Sequence, residues 1–186
     1  MFIQTESTPN PSTLKFLPGQ AVLAQGSLEF KKAPESATKS PLAAALLDMP
    51  GVESVMFGVD FVSVTKGDVD WAHLKPAVLG LIMEHFSSDA PLLLGEAGAA
   101  EATGEFFDPA EAETVETIKN LIATRVRPAV AADGGDIVFK GFRDGVVYVT
   151  MKGACSGCPS STATLKSGIE KLLRHFVPQV RAVEGA

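Results

Sequence analysis

The chain has 186 residues, enough for one ordinary domain or two small ones, and 46% are hydrophobic, which supplies a core and excludes wholesale disorder. With 16 Lys and Arg against 22 Asp and Glu, the net charge of −6 argues against a nucleic-acid binder, which needs a clustered basic face. Residues 1–107 carry 6 basic and 13 acidic side chains, net −7, while 108–186 carry 10 and 9, net +1, an asymmetry read as solvated surface.

No run of about 18 apolar residues occurs, so no membrane span is predicted. The opening "MFIQTESTPNPSTLKF" has no charged n-region or apolar h-region of a signal peptide, and it is not Arg-rich like a transit sequence. A reducing cytosol is therefore expected, where structural disulfides are rare.

In chain order, "FIQTE" (2–6) and "TLKFLPG" (13–19) predict short strands, separated by a turn that two prolines impose. The stretch "TESTPNPST" lacks the glycines and lysine of a phosphate loop. "SPLAAALLDM" (40–49) predicts a short helix with Ser40 as N-cap and Pro41 in its first turn. "VESVMFGVDFVSVTK" (52–66) predicts a hairpin or bulged strand pair around Gly58. "DWAHLKPAVLGLIMEHF" (70–86) carries a helical stripe at Leu74, Val78, Leu81 and Ile82, with Pro76 as a candidate kink.

"GEAGAAEATGE" (95–105) has no apolar periodicity and reads as a flexible linker. Beyond it, 108–126 is the clearest helix, with Asp108 as cap, Pro109 in the first turn and Glu111 completing a capping box. Val115, Ile118, Leu121, Ile122 and Val126 form its apolar stripe. "ADGGDIVFKGF" leads into a strand, and Arg143-Asp144-Gly145 turns it back into "VVYVTM" (146–151). A last helix is expected from about Ser161 to Phe176, stopped by Pro178, with "QVRAVE" as an edge strand. The fold class expected is α/β (α+β). Two small domains, 1–94 and 108–186, each pair a short sheet with helices and are joined by a flexible linker over 95–107.

Both cysteines, Cys155 and Cys158, lie in "KGACSGCPSS" (152–161), between a strand end and a helix start. Unpaired N–H groups at the helix start should lower both thiol pKa values. Gly153 and Gly157 let the backbone approach closely, and an exposed Gly/Ser turn is poor core material. Three chemistries remain open. A disulfide exchanger uses such a pair with Cys155 as nucleophile, but no βαβ pattern precedes the motif and the single Trp, Trp71, lies in the other half. Zinc needs four ligands, and His73, His85 and His175 are scattered, so zinc would have to bridge two chains. An iron–sulfur cluster also takes four thiolates, which two chains facing each other would supply. Lys152 or Lys166 would then offset its charge, and Pro159 echoes the Cys-Pro of ferredoxin motifs.

"DGGDI" (133–137) followed by "MKGACSGCPSSTATLKSGIEKLL" (151–173) closely resembles the C-terminal domain of NifU, shared by the Nfu iron–sulfur scaffold and carrier proteins. "MFIQTESTPNPSTLKFLPG" and "SPLAAALLDMPGVESVMFGVDFVSVTK" are similar to the N-terminal domain that accompanies it. The resemblance implies Cys155 and Cys158 as cluster ligands, in agreement with the ligand count, from which a [4Fe–4S] cluster bridging two subunits is expected, with [2Fe–2S] as an alternative form. It also implies receipt of the cluster from an upstream scaffold protein and delivery to client apoproteins, while the ligand supply leads to the expectation of a non-enzymatic, cluster-linked homodimer. Neither nucleic acid nor membrane is expected as a partner. The expected location is a bacterial cytoplasm, or the mitochondrial matrix if a presequence is missing. The N-terminal half has no cysteine and is expected to be a protein-docking module.

Overall fold

A computed structural model describes residues 2–33, 39–88, 90–94, 104–156 and 159–186, the side chains of 159–161 excepted. The chain forms two compact units, Met1–Ala100 and Glu101–Ala186. Each is a small sheet packed with helices, the α/β class expected. Among the described residues no helix is long and apolar enough to cross a membrane.

In the first unit, strands β1 (Gln4–Ser7), β2 (Thr13–Leu17), β3 (Leu28–Lys31), β4 (Val52–Phe57) and β5 (Val62–Lys66) form an antiparallel sheet in the order β1-β2-β5-β4-β3. Helix α1 (Pro41–Asp48) starts where Ser40 Oγ accepts from the Ala43 N–H at 3.2 Å, with Pro41 in its first turn. Helix α2 (Trp71–Ser87) runs on past Pro76 and buries Leu74, Val78 and Ile82, whereas Leu81 is half-buried. Those residues meet Phe16, Val55, Phe57, Val62 and Val64 of the strands in one core. Strand β3 was not expected from the sequence. It is four residues long and buries only Phe30 fully, too little alternation to reveal itself.

In the second unit Asp108 caps a 3-10 turn, Pro109–Glu111, by accepting from the Ala110 N–H at 2.9 Å. Helix α3 (Ala112–Leu121) follows, then a π-helical turn (Ile122–Val126) and helix α4 (Arg127–Ala132). The sequence predicts an end at Val126, just before Pro128. Pro128 cannot donate a backbone hydrogen bond, and its ring presses on the carbonyl four residues back. A wide π turn relieves that pressure, and the helical run continues to Ala132.

Strand β6 (Gly135–Arg143) then pairs with β7 (Val146–Gly153) through a two-residue turn in which Asp144 and Gly145 take φ 53° and 78°. Positive φ at both positions is the primed turn that suits the strand twist. Helix α5 (Pro159–Phe176) returns the chain so that β8 (Ala182–Gly185) pairs parallel to β7, giving a sheet in the order β6-β7-β8. Apolar residues of all these elements form the second core, including Ile118, Ile137, Val147, Ile169 and Leu173. The interval 95–103, read as linker, lies outside the described residues. Its neighbour Phe106 bridges to Gly141, with Phe106 N donating to Lys140 O at 3.1 Å and Phe142 N to Phe106 O at 2.9 Å.

Candidate metal centre

The β7–α5–β8 crossover puts the cysteine turn at the carboxyl end of β7 and the start of α5, the place where open α/β sheets bind ligands. Gly153 closes β7 with φ 64°, a left-handed conformation that suits glycine and redirects the chain. Ser156 N and Oγ both donate to Gly153 O, at 3.0 and 2.9 Å, and Thr162 Oγ1 donates to Cys155 O at 3.0 Å. Ala154 N donates to Gly134 O at 3.2 Å, which ties the turn to the start of β6.

Cys155 is only 7% exposed and belongs to the apolar core of its unit. Its free thiol is pushed up from an ordinary pKa of 9.0 to about 11, chiefly by burial, with the carboxylates of Asp133 and Asp136 adding to the effect. Both findings correct the expectation of an exposed, acidified thiol. Helix-end dipoles act within one turn, and here desolvation and two like charges outweigh them. Cys158 lies outside the described residues.

The residues around Cys155 explain "DGGDI". Gly135 faces Gly153 in the strand register, and a Cβ on Gly135 would fall 2.6 Å from Cys155 Sγ. Asp136, 4% exposed, accepts from Arg127 Nε at 2.8 Å and Nη2 at 2.7 Å, and its Oδ1 also accepts from the Ile137 N–H at 2.8 Å. The bidentate bond raises the Arg127 pKa above its already high value. Arg127 stands at the first position of α4, where the π turn delivers it. Sequence reasoning missed Arg127, Asp136 and Gly135 as individual contributors, although the doubled glycine between two aspartates was a usable signal. Lys166, expected to offset cluster charge, bonds to Glu184 at 3.0 Å. Lys152 faces Asp136 in the β6–β7 register. His73 and His85 stand on α2 and His175 at the far end of α5. Among the described residues, no three His, Cys, Asp or Glu side chains gather as a metal-binding group.

Comparison with known proteins places both units. The family model described as scaffold protein Nfu/NifU N terminal matches residues 3–89, and the NifU-like domain matches 118–184. A human protein named NFU1 iron-sulfur cluster scaffold homolog, mitochondrial, is 47% identical over 99% of this chain and 71% of its own length. NifU-like protein 4, mitochondrial, of Arabidopsis thaliana is 52% identical over 99% of this chain and 65% of its own. An NMR structure of a NifU-like protein from Saccharomyces cerevisiae is 33% identical, with a TM-score of 0.43 over 47% of this chain and 79% of that one. On two domain matches in order and near-half identity along its full length, the chain belongs to the Nfu/NifU family.

Proposed function

We propose that this chain is a non-enzymatic iron–sulfur cluster scaffold and carrier, with Cys155 and Cys158 as the ligands. The observation that carries this reading is the Cys155 turn, built at a strand-to-helix junction on paired glycines, in a chain whose relatives are named as cluster scaffolds. Two thiolates per chain and four per cubane make a [4Fe–4S] cluster the property of two chains. A [2Fe–2S] cluster asks for the same four ligands and is the second form.

A thiol that holds its proton to about pH 11 is a poor nucleophile at neutral pH, which weighs against thiol–disulfide exchange. Cluster binding differs, because iron displaces the proton and the metal–sulfur bond offsets the desolvation. A cubane held by turns at a shared surface is also easily surrendered, as a carrier requires. Its partners are then an upstream scaffold and client apoproteins, met in a reducing cytoplasm or mitochondrial matrix. The proposed domains are 1–94 and 108–186, joined by 95–107, with the first as the module that selects partners. Phe106 anchors the end of that joint on the second domain.

Anaerobic reconstitution with iron and sulfide counted on the sample used for sedimentation tests the proposal. The expected result is about four irons per two chains and a dimer that appears with the cluster. A stable monomer with a full cluster, or a colourless protein that reduces insulin disulfides catalytically, would overturn it.

A further inference from the structure

Gly135 opens β6 opposite Gly153 and does not have a positive φ, so its need for glycine is one of space. A Cβ there would lie 2.6 Å from Cys155 Sγ, 2.9 Å from Lys152 O and 3.1 Å from Cys155 N. The nearest of these is sulfur, and the sulfur occupies the room that a side chain would take. Hydrogen bonds that hold the turn run from Ala154 N to Gly134 O, from Ser156 N and Oγ to Gly153 O, and from Thr162 Oγ1 to Cys155 O. A cluster shared by two chains must meet each sulfur at a surface both can reach. A sulfur seated against Gly135 and 7% exposed is not at such a surface.

We propose that Gly135 is a positioning residue for Cys155. Its absent side chain forms a berth that holds the thiol inside the domain while the protein is empty, and the sulfur leaves the berth to take the cluster. This rests on the scaffold reading above.

Two consequences follow from the competition between berth and cluster for one sulfur. The berth shields the empty protein's thiol from alkylation and stray metals. It also favours hand-off: the Fe–Sγ bond breaks, an acceptor thiolate takes its place on iron, and Sγ gains a proton from water as it returns, with no change in electron count. In Gly135→Ala the new methyl fills the berth. It crowds the seated thiol of the empty state and occupies the space vacated in the loaded state, so the balance shifts toward loading.

The test uses the full chain and compares iodoacetamide alkylation of Cys155, resolved from Cys158 by mass spectrometry, in three samples. Native wild type should react at least about 10-fold more slowly than the urea-unfolded chain, and Gly135→Ala should recover most of that difference. After reconstitution, a ferrous chelator should strip Gly135→Ala at least about threefold more slowly than wild type. Equal alkylation of native and unfolded wild type, or of wild type and a folded Gly135→Ala, overturns the berth. If Gly135→Ala does not fold, the double variant Gly135→Ala/Cys155→Ala decides. Its folding shows that the collision was with the sulfur, and its failure shows that the glycine serves only the backbone at Lys152 and Cys155. A wild-type chain that takes up no iron overturns the scaffold reading instead, and the alkylation rates still judge the berth.

Discussion

Glycines in the two units make the same kind of close contact with different neighbours. In the N-terminal unit a Cβ on Gly51 would collide with Val69, and one on Gly58 with the Phe61 ring. In the C-terminal unit the same construction at Gly141 meets Phe106, but at Gly135 it meets the thiol of Cys155. Buried charge divides in a similar way. Lys15 lies 3.4 Å from the half-exposed Glu6 and 5.0 Å over the Phe61 ring, a pairing inside a sheet. Asp136 is gripped by Arg127 from a different element, beside the candidate ligand. Packing devices are therefore common to both units, and in the second one of them meets a thiol.

Breaking that contrast at the sulfur should have the largest effect. Cys155→Ser should abolish iron retention on reconstitution, while Ser63 or any other polar residue of the first unit should be neutral for iron. Because Cys155 is core and not exposed turn, the same change should also lower stability by about 1–2 kcal/mol, read from urea unfolding of the empty chain. Iron content at the wild-type level in Cys155→Ser would end the assignment of this ligand.

Arg127→Ala comes next. It strands the Asp136 carboxylate, 4% exposed, without its bidentate partner, and should destabilise the second unit by about 3 kcal/mol. Arg127→Lys should recover only part, because one ammonium cannot reproduce the two-bond fork. A loss below about 0.5 kcal/mol would mean that the pair is screened like a surface bridge.

Smaller again is Phe106→Ala, which empties the notch at Gly141 and removes the ring that lies 5.2 Å from the Tyr148 ring at a 53° tilt. A half-buried ring should cost about 1.5 kcal/mol, below the fully buried range. If unfolding of a fragment starting at residue 108 matches that of one starting at 104, Phe106 is linker and nothing more. Ser40→Ala, in the first unit, should cost about 1 kcal/mol by removing the α1 cap and leave iron uptake unchanged.

The smallest effect at ordinary pH is one of titration. The folded chain holds the Cys155 proton more tightly than the unfolded chain, so this contribution is complete below pH 9.0 and is lost as pH rises toward about 11. Unfolding midpoints of wild type should fall across that window more steeply than those of Cys155→Ala. Parallel curves would show that the thiol titrates normally.

Much of the local architecture was legible because its causes are local. Ser40-Pro41 starts α1, Asp144-Gly145 turns β6 into β7, and the stripe Val115–Ile118–Ile122–Val126 marks the helical face that is buried. Four-residue β3 was not legible, since one buried Phe30 makes no periodicity. The π turn was hidden for a related reason: a proline announces a disturbance without saying whether the helix stops or bulges.

At the site, sequence alone determined that two thiols share one glycine-rich turn between a strand and a helix, because spacing along the chain is covalent. It also supplied the family resemblance that the domain matches bear out. Tertiary structure alone decided that Cys155 is buried, that Gly135 makes room for it, and that Asp136 is held by Arg127. Those facts depend on the β6–β7 register and on where α4 is delivered, which bring together residues 9 to 20 positions apart. A thiol's pKa follows from the surfaces and charges around it in space, and neighbours along the chain do not reveal them.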